Sequence, residues 1–167
     1  MPERNLFETT VETLPSDDHR MRAWLTMVGC FTSVERSLRR RFSHIFRSSL
    51  PRYDVLTALV QFPDGLTMGQ LAAKLVVSKG NITGVVRRLQ EHDYVCQATS
   101  REDRRVQVVT LTDEGRALWD RMHEEYCKVI EEAFDRLSTS DSKSLTQFLM
   151  LAQQKIDGAL QRREAAK

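Results

Sequence analysis

Arg101, Arg104 and Arg105 crowd into the stretch Ser-Arg-Glu-Asp-Arg-Arg at 100–105, which runs straight into the β-branched segment Val-Gln-Val-Val-Thr-Leu-Thr at 106–112. Guanidinium groups are planar forks of donors that suit phosphate oxygens and narrow, negative grooves. Asp103 would be misplaced beside a polyanion unless it orients an arginine through a paired hydrogen bond. A second set of polar and cationic residues lies upstream, with Ser78, Lys79, Asn81, Thr83, Arg87 and Arg88 spread through Ser-Lys-Gly-Asn-Ile-Thr-Gly-Val-Val-Arg-Arg at 78–88. Amide and guanidinium side chains can read base edges, while hydroxyls and cations hold phosphates. A charged run at a turn is by itself usually just solvated.

The elements around these residues decide between the two readings. At about 100° per residue, a helix over 78–91 places Ile82, Val85, Val86 and Leu89 on one apolar arc. Gly80, Asn81, Thr83, Gly84, Arg87 and Arg88 then point away from the core. Glycine inside a helix costs about 1 kcal/mol relative to alanine, and a thin outward face suits close approach by a large partner. Ser78 is a natural N-cap for this helix. Thr67 and Gln70 fit a capping box for a short helix before it, ending near Leu75. Two short helices with so little between them form a helix-turn-helix pattern. Asp-Tyr-Val-Cys-Gln-Ala-Thr at 93–99 and Val-Gln-Val-Val-Thr-Leu at 106–111 read as strands, which makes 100–105 a hairpin tip.

Longer helices flank this region. Met21, Trp24, Leu25, Val28, Phe31, Val34, Leu38, Phe42 and Ile45 recur at three- and four-residue steps, one stripe along a helix of about 40 Å. That is too long for a small domain's own core, so part of the stripe is expected to meet another subunit. Pro51 fits the first turn of the next helix, which Pro63-Asp64-Gly65 ends. Thr112 caps a helix carrying Leu118, Trp119, Met122, Tyr126, Val129, Ile130, Phe134 and Leu137, and Ser138 or Ser140 starts a last one through Leu160.

The chain has 167 residues, 41% hydrophobic and 29% charged, with a formal net charge of +2, an ordinary composition for one globular domain. No apolar run reaches the ~20 residues of a membrane span, and the polar, aperiodic residues 1–16 read as a flexible arm without a signal peptide, so a cytoplasmic location is expected. Charge is unevenly placed. Six arginines stand against Glu35 between Glu35 and Arg52, and eight acids against three cations between Asp113 and Asp135. Cys30, Cys96 and Cys127 lack metal-ligand or disulfide spacing, and mostly buried, reduced thiols are expected. His19, His44, His92 and His123 are scattered, so no metal set, cofactor or catalytic dyad is read, and an enzyme is not expected.

A helix-turn-helix joined at once to a β-hairpin with a basic tip, set between long helices, resembles the MarR family of winged-helix transcription regulators. The resemblance rests on Gly65–Gly115, including Asp-x-Arg at Asp103 and Arg105 and Leu-Thr-x-x-Gly at Leu111, Thr112 and Gly115. It implies a mainly α fold with a small β-hairpin wing, and long N- and C-terminal helices forming a dimerisation region. On that plan 17–50 is the N-terminal dimerisation helix, 51–111 the DNA-binding region and 112–163 the C-terminal dimerisation helices, one structural domain in all. The implied partner is double-stranded DNA, a palindromic site bound by a homodimer. Ser78, Lys79, Asn81, Thr83, Arg87, Arg88, Arg101, Asp103, Arg104 and Arg105 would then form the DNA surface. Similar proteins answer to aromatic acids or aryl-CoA thioesters, in a region that would here contain Phe31, Arg39, Arg40, His44, Phe46, Tyr53 and Trp119. The expected function is a repressor of aromatic-compound catabolism genes. The alternatives are a redox regulator using Cys30, although an apolar helix interior would dull that thiol, and a winged-helix protein-interaction module.

Overall fold

The computed structural model describes Thr10, residues 18–99 and residues 106–165, apart from the side chains of Lys79 and Glu164. The expected arm, save Thr10, and the hairpin tip at 100–105 lie outside the described residues. The chain divides into two units, Met1–Val129 and Ile130–Lys167.

In the first unit, α1 (His19–Phe46) starts where Asp18 accepts a hydrogen bond from the Met21 amide at 3.1 Å. The helix ends at Arg47, which turns left-handed with φ +46°. Helix α2 (Leu50–Gln61) begins with Pro51 in its first turn, where a missing N–H costs nothing. It buries Tyr53, Val55, Leu56, Ala58 and Leu59. The turn after it needs glycine. Gly65 has φ +87°, and a Cβ there would meet Val108, Thr110 and the Val109 carbonyl oxygen at 2.5 to 2.6 Å.

This close approach brings β1 (Leu66–Thr67) alongside β3 (Gln107–Leu111), pairing Leu66 with Val109 and Thr67 with Val108. Sequence patterns do not indicate β1, since two residues carry no periodicity. The hairpin strands do appear as expected: β2 (Val95–Thr99) pairs antiparallel with β3 from Val95↔Leu111 to Thr99↔Gln107. The sheet order is β1-β3-β2.

Between β1 and β2 lie α3 (Met68–Lys74) and α4 (Lys79–Gln90). The Thr67 hydroxyl accepts from the Gln70 amide at 3.2 Å, and the Gln70 side chain accepts from the Thr67 amide at 2.8 Å. Leu71 on α3 and Ile82, Val86 and Leu89 on α4 are buried with Phe42, Leu56, Leu59, Val109 and Met122 in one core. The last of these belongs to α5 (Asp113–Phe134). Thr112 caps it, accepting from the Gly115 amide at 3.0 Å while donating to the Asp93 carbonyl at 2.6 Å.

The second unit takes in the end of α5 and α6 (Thr139–Glu164), which Ser138 opens with a capping box to Asp141. Helix α6 exposes Leu145, Phe148, Leu149, Met150, Leu151, Ile156 and Leu160. On α1, burial is confined to Gly29, Leu38 and Phe42, while Trp24 and Phe31 are more than half exposed.

The thiols depart from expectation. Cys30 and Cys96 are exposed and Cys127 is half-buried. Cys30 lies on the stretch of α1 where Gly29 alone is buried, and on β2 only Val95 reaches the core, leaving Cys96 beside Thr110 on the open side.

Candidate nucleic-acid interface and adjoining cavity

Helix α4 is set by Ser78, whose hydroxyl accepts from the Asn81 amide at 3.3 Å. With Ile82, Val86 and Leu89 buried, the opposite pole falls between Gly80 and Gly84, at about 100° per residue. A Cβ at either glycine would meet nothing within 4 Å. Asn81, Thr83, Arg87 and Arg88 are exposed around this bare strip. Arg87 leans on Glu91 at 3.6 Å, a loose exposed ion pair that costs little to exchange for a phosphate. The side chain of Lys79 and residues Arg101, Asp103, Arg104 and Arg105 lie outside the described residues. The strands that carry the hairpin tip are antiparallel and adjacent to α4, with Gln90 Nε2 donating to Gln97 at 3.4 Å. A bare helix strip flanked by cations fits a major groove, and the exposed amide and hydroxyl suit base edges.

The aromatic and basic residues expected around a small molecule are spread out. Phe31, Arg39, Arg40 and His44 are exposed, and Arg39 pairs with Glu35 at 2.8 Å. Phe46 packs edge-on against Phe42 with centroids 5.9 Å apart. Tyr53 and Trp119 come together through residues that sequence reading passes over. The Tyr53 hydroxyl lies 2.7 Å from His123 Nδ1, and the Trp119 indole, stacked on His123 at 4.6 Å, donates to Thr57 Oγ1 at 2.9 Å. Burial pushes the Tyr53 phenol up to about 12. The phenol therefore stays protonated, and on the other side of the imidazole His123 Nε2 lies 3.7 Å from Cys127 Sγ.

One cavity of about 510 Å³ opens beside this cluster, lined among others by Tyr53, Asp54, Thr57, Phe62, Lys74 and Tyr126. Lys74 sits 3.8 Å from the centre of the Phe62 ring. A second cavity of about 300 Å³ lies between Pro51 and Asp54 of α2 and Asn81, Ile82 and Val85 of α4. Asp54 lines both. Among the described residues no three His, Cys, Asp or Glu side chains gather as metal ligands, and no helix is long and apolar enough to cross a membrane.

Asp54 gives the fold a pH dependence. Burial pushes its carboxyl up to about 6 from 3.8, against the pull of Arg39 and with a further push from Glu35. The folded chain thus holds a proton that the unfolded chain releases near pH 4, so this contribution is full below about pH 4 and is lost as pH rises through about 6. Asp54→Asn is expected to remove that slope and to melt above the wild type at pH 7. Parallel melting curves for the two proteins between pH 4 and 7 would contradict the assignment.

Residues 49–106 match the MarR family model. The HTH-type transcriptional regulator YfiV of Bacillus subtilis is 26% identical over 94% of this chain and 98% of its own length. The transcriptional activatory protein BadR of Rhodopseudomonas palustris is 37% identical over 57 residues, only 34% of this chain and 33% of BadR. Among solved structures, a MarR family transcriptional regulator from Silicibacter pomeroyi superposes with TM-score 0.73 at 26% identity, over 85% of this chain and 99% of that one. Sco3205 of Streptomyces coelicolor, a MarR family regulator solved in complex with DNA, superposes with TM-score 0.72 at 24% identity, over 85% of this chain and 89% of that one.

Proposed function

Starting from the chain's membership of the MarR family of winged-helix transcription regulators, we propose that it is a homodimeric repressor of aromatic-compound catabolism genes that leaves a palindromic operator when an aromatic acid or aryl-CoA binds. The observation that carries this reading is the outward strip of α4, where Gly80 and Gly84 leave the backbone bare between exposed Asn81, Thr83, Arg87 and Arg88. Lys79, Asn81, Thr83 and Arg87 would meet base edges or the adjacent phosphates, with Ser78 and Arg88 on phosphates. Arg101, Arg104 and Arg105 of the wing would enter the minor groove, oriented by Asp103. Exposed apolar residues on α1, Trp24 and Phe31 among them, and, in the other unit, Phe148 and Met150 on α6 each support the dimeric reading.

The effector would occupy the 510 Å³ cavity, whose size suits a small aromatic ligand. Tyr53 and Tyr126 stack at 5.0 Å on one side of it, and Lys74 offers a cation for a carboxylate. Release requires that the effector bind the DNA-incompetent arrangement more tightly, since equal affinity shifts nothing. BadR is named an activator, so the sign of regulation is read from a reporter gene carrying the operator, whose output should rise when the repressor is deleted.

Arg87→Ala and Arg105→Ala are each expected to weaken binding to an operator selected from a random duplex library by roughly tenfold and to flatten its salt dependence. The test is gel shift across a salt series, and wild-type affinity in both variants would take these arginines off the surface. Salt-independent association with DNA would count against the whole reading and favour a protein-interaction module.

A further inference from the structure

Val76, in the turn between α3 and α4, has φ +54°. A β-branched side chain rarely adopts this left-handed conformation, because its Cβ crowds the following carbonyl. Two turn hydrogen bonds hold the backbone there, from the Val76 amide to the Ala73 carbonyl at 3.3 Å and from the Val77 amide to the Ala72 carbonyl at 3.1 Å. The interior gains nothing from the side chain, which is 89% exposed, more than any other large apolar residue described. Glycine would relax this turn and asparagine would occupy it with little strain. A strained apolar side chain held out in solvent calls for a contact outside the folded chain.

Its place in the fold says which contact. Val76 lies two residues before Ser78, the N-cap of α4, at the end of the helix whose first residues a helix-turn-helix sets against base edges. In the major groove the base edges offer one apolar feature, the C5-methyl group of thymine. We propose that Val76 is a specificity-determining residue whose isopropyl group packs against a thymine methyl in each half-site. The inference rests on the DNA-reading function proposed above. It adds a base preference at a position that hydrogen-bonding side chains do not cover.

The test replaces each thymine of a library-selected operator, one at a time, by deoxyuridine, which lacks only that methyl group. Affinities are measured by fluorescence anisotropy for the wild type, Val76→Gly and Val76→Asn. At one thymine per half-site the wild type should lose about fourfold, the factor equivalent to the ~0.8 kcal/mol of a buried methylene-sized group. Both variants should bind the thymine and deoxyuridine forms alike at that position and respond as the wild type does elsewhere. Val76→Gly should also melt a few degrees higher, because the turn is relieved. A wild type indifferent to every deoxyuridine, variants that keep its profile, or a Val76→Gly protein that melts lower would each overturn the inference. Failure of the library to yield any enriched sequence would instead sink the DNA-reading function beneath it.

Discussion

Gly115→Ala should be a strongly damaging single-methyl change, lowering stability by on the order of 3 kcal/mol and the melting temperature by roughly 10 °C. A Cβ there would fall on the Tyr94 carbonyl oxygen and lie 2.8 Å from its carbon and 2.9 Å from Leu111 Cδ1. The backbone carbonyl cannot yield cheaply. The Tyr94 carbonyl accepts from the Thr112 amide at 3.2 Å, its own amide is tied to the Leu89 carbonyl at 3.0 Å, and Leu111 pairs with Val95 across the hairpin. Gly115 therefore stands where the end of α4, the base of the wing and the start of α5 converge. Separating them would also tilt the wing away from α4, so operator binding should fall with stability. Thermal unfolding followed by circular dichroism checks this, and an unchanged midpoint would mean that the convergence is looser than described.

Gly84→Leu should act with the opposite sign on folding. A Cβ at Gly84 meets nothing within 4 Å, and replacing a helical glycine by a good helix former stabilises by about 1 kcal/mol, or roughly 3 °C in melting temperature. The operator should nevertheless be lost, with affinity down at least about a hundredfold. The leucine would occupy the space through which α4 approaches the groove, lifting every neighbouring contact out of hydrogen-bonding range. A variant that melts higher and binds as well as the wild type would show that the bare strip is not the surface that meets DNA.

These two glycines look alike in the sequence, and the difference between them is tertiary. Gly84 is legible because helical periodicity alone turns it away from Ile82, Val86 and Leu89. The reason for Gly115 depends on Tyr94, whose carbonyl reaches it only after the hairpin has folded back. The same contrast runs through the cavity. Tyr53 and Trp119 can be singled out as large amphipathic side chains, but their partners His123 and Thr57 lie 70 and 62 residues away in sequence. Asp54, which lines both cavities, carries no local signal, since a lone aspartate on an amphipathic helix ordinarily faces water. Val76 could have been suspected from the brevity of the turn between α3 and α4, which leaves little room for any backbone but a left-handed one.

What the sequence determined by itself is whatever depends on short-range periodicity and capping. The Thr67–Gln70 box, Ser78 as a cap, the two hairpin strands and the outward set on α4 all follow from residues within one or two turns of each other, where backbone geometry leaves few alternatives. Only the tertiary structure decided which groups are buried next to which: the β1–β3 pairing through Gly65, the exposure of Cys30 and Cys96, the raised carboxyl of Asp54 and the chain of contacts from Tyr53 to Cys127. The physical reason is range. Hydrogen-bonded turns close over three or four residues, whereas desolvation and packing are set by whatever the folded chain brings within a few ångströms, at any distance along the sequence.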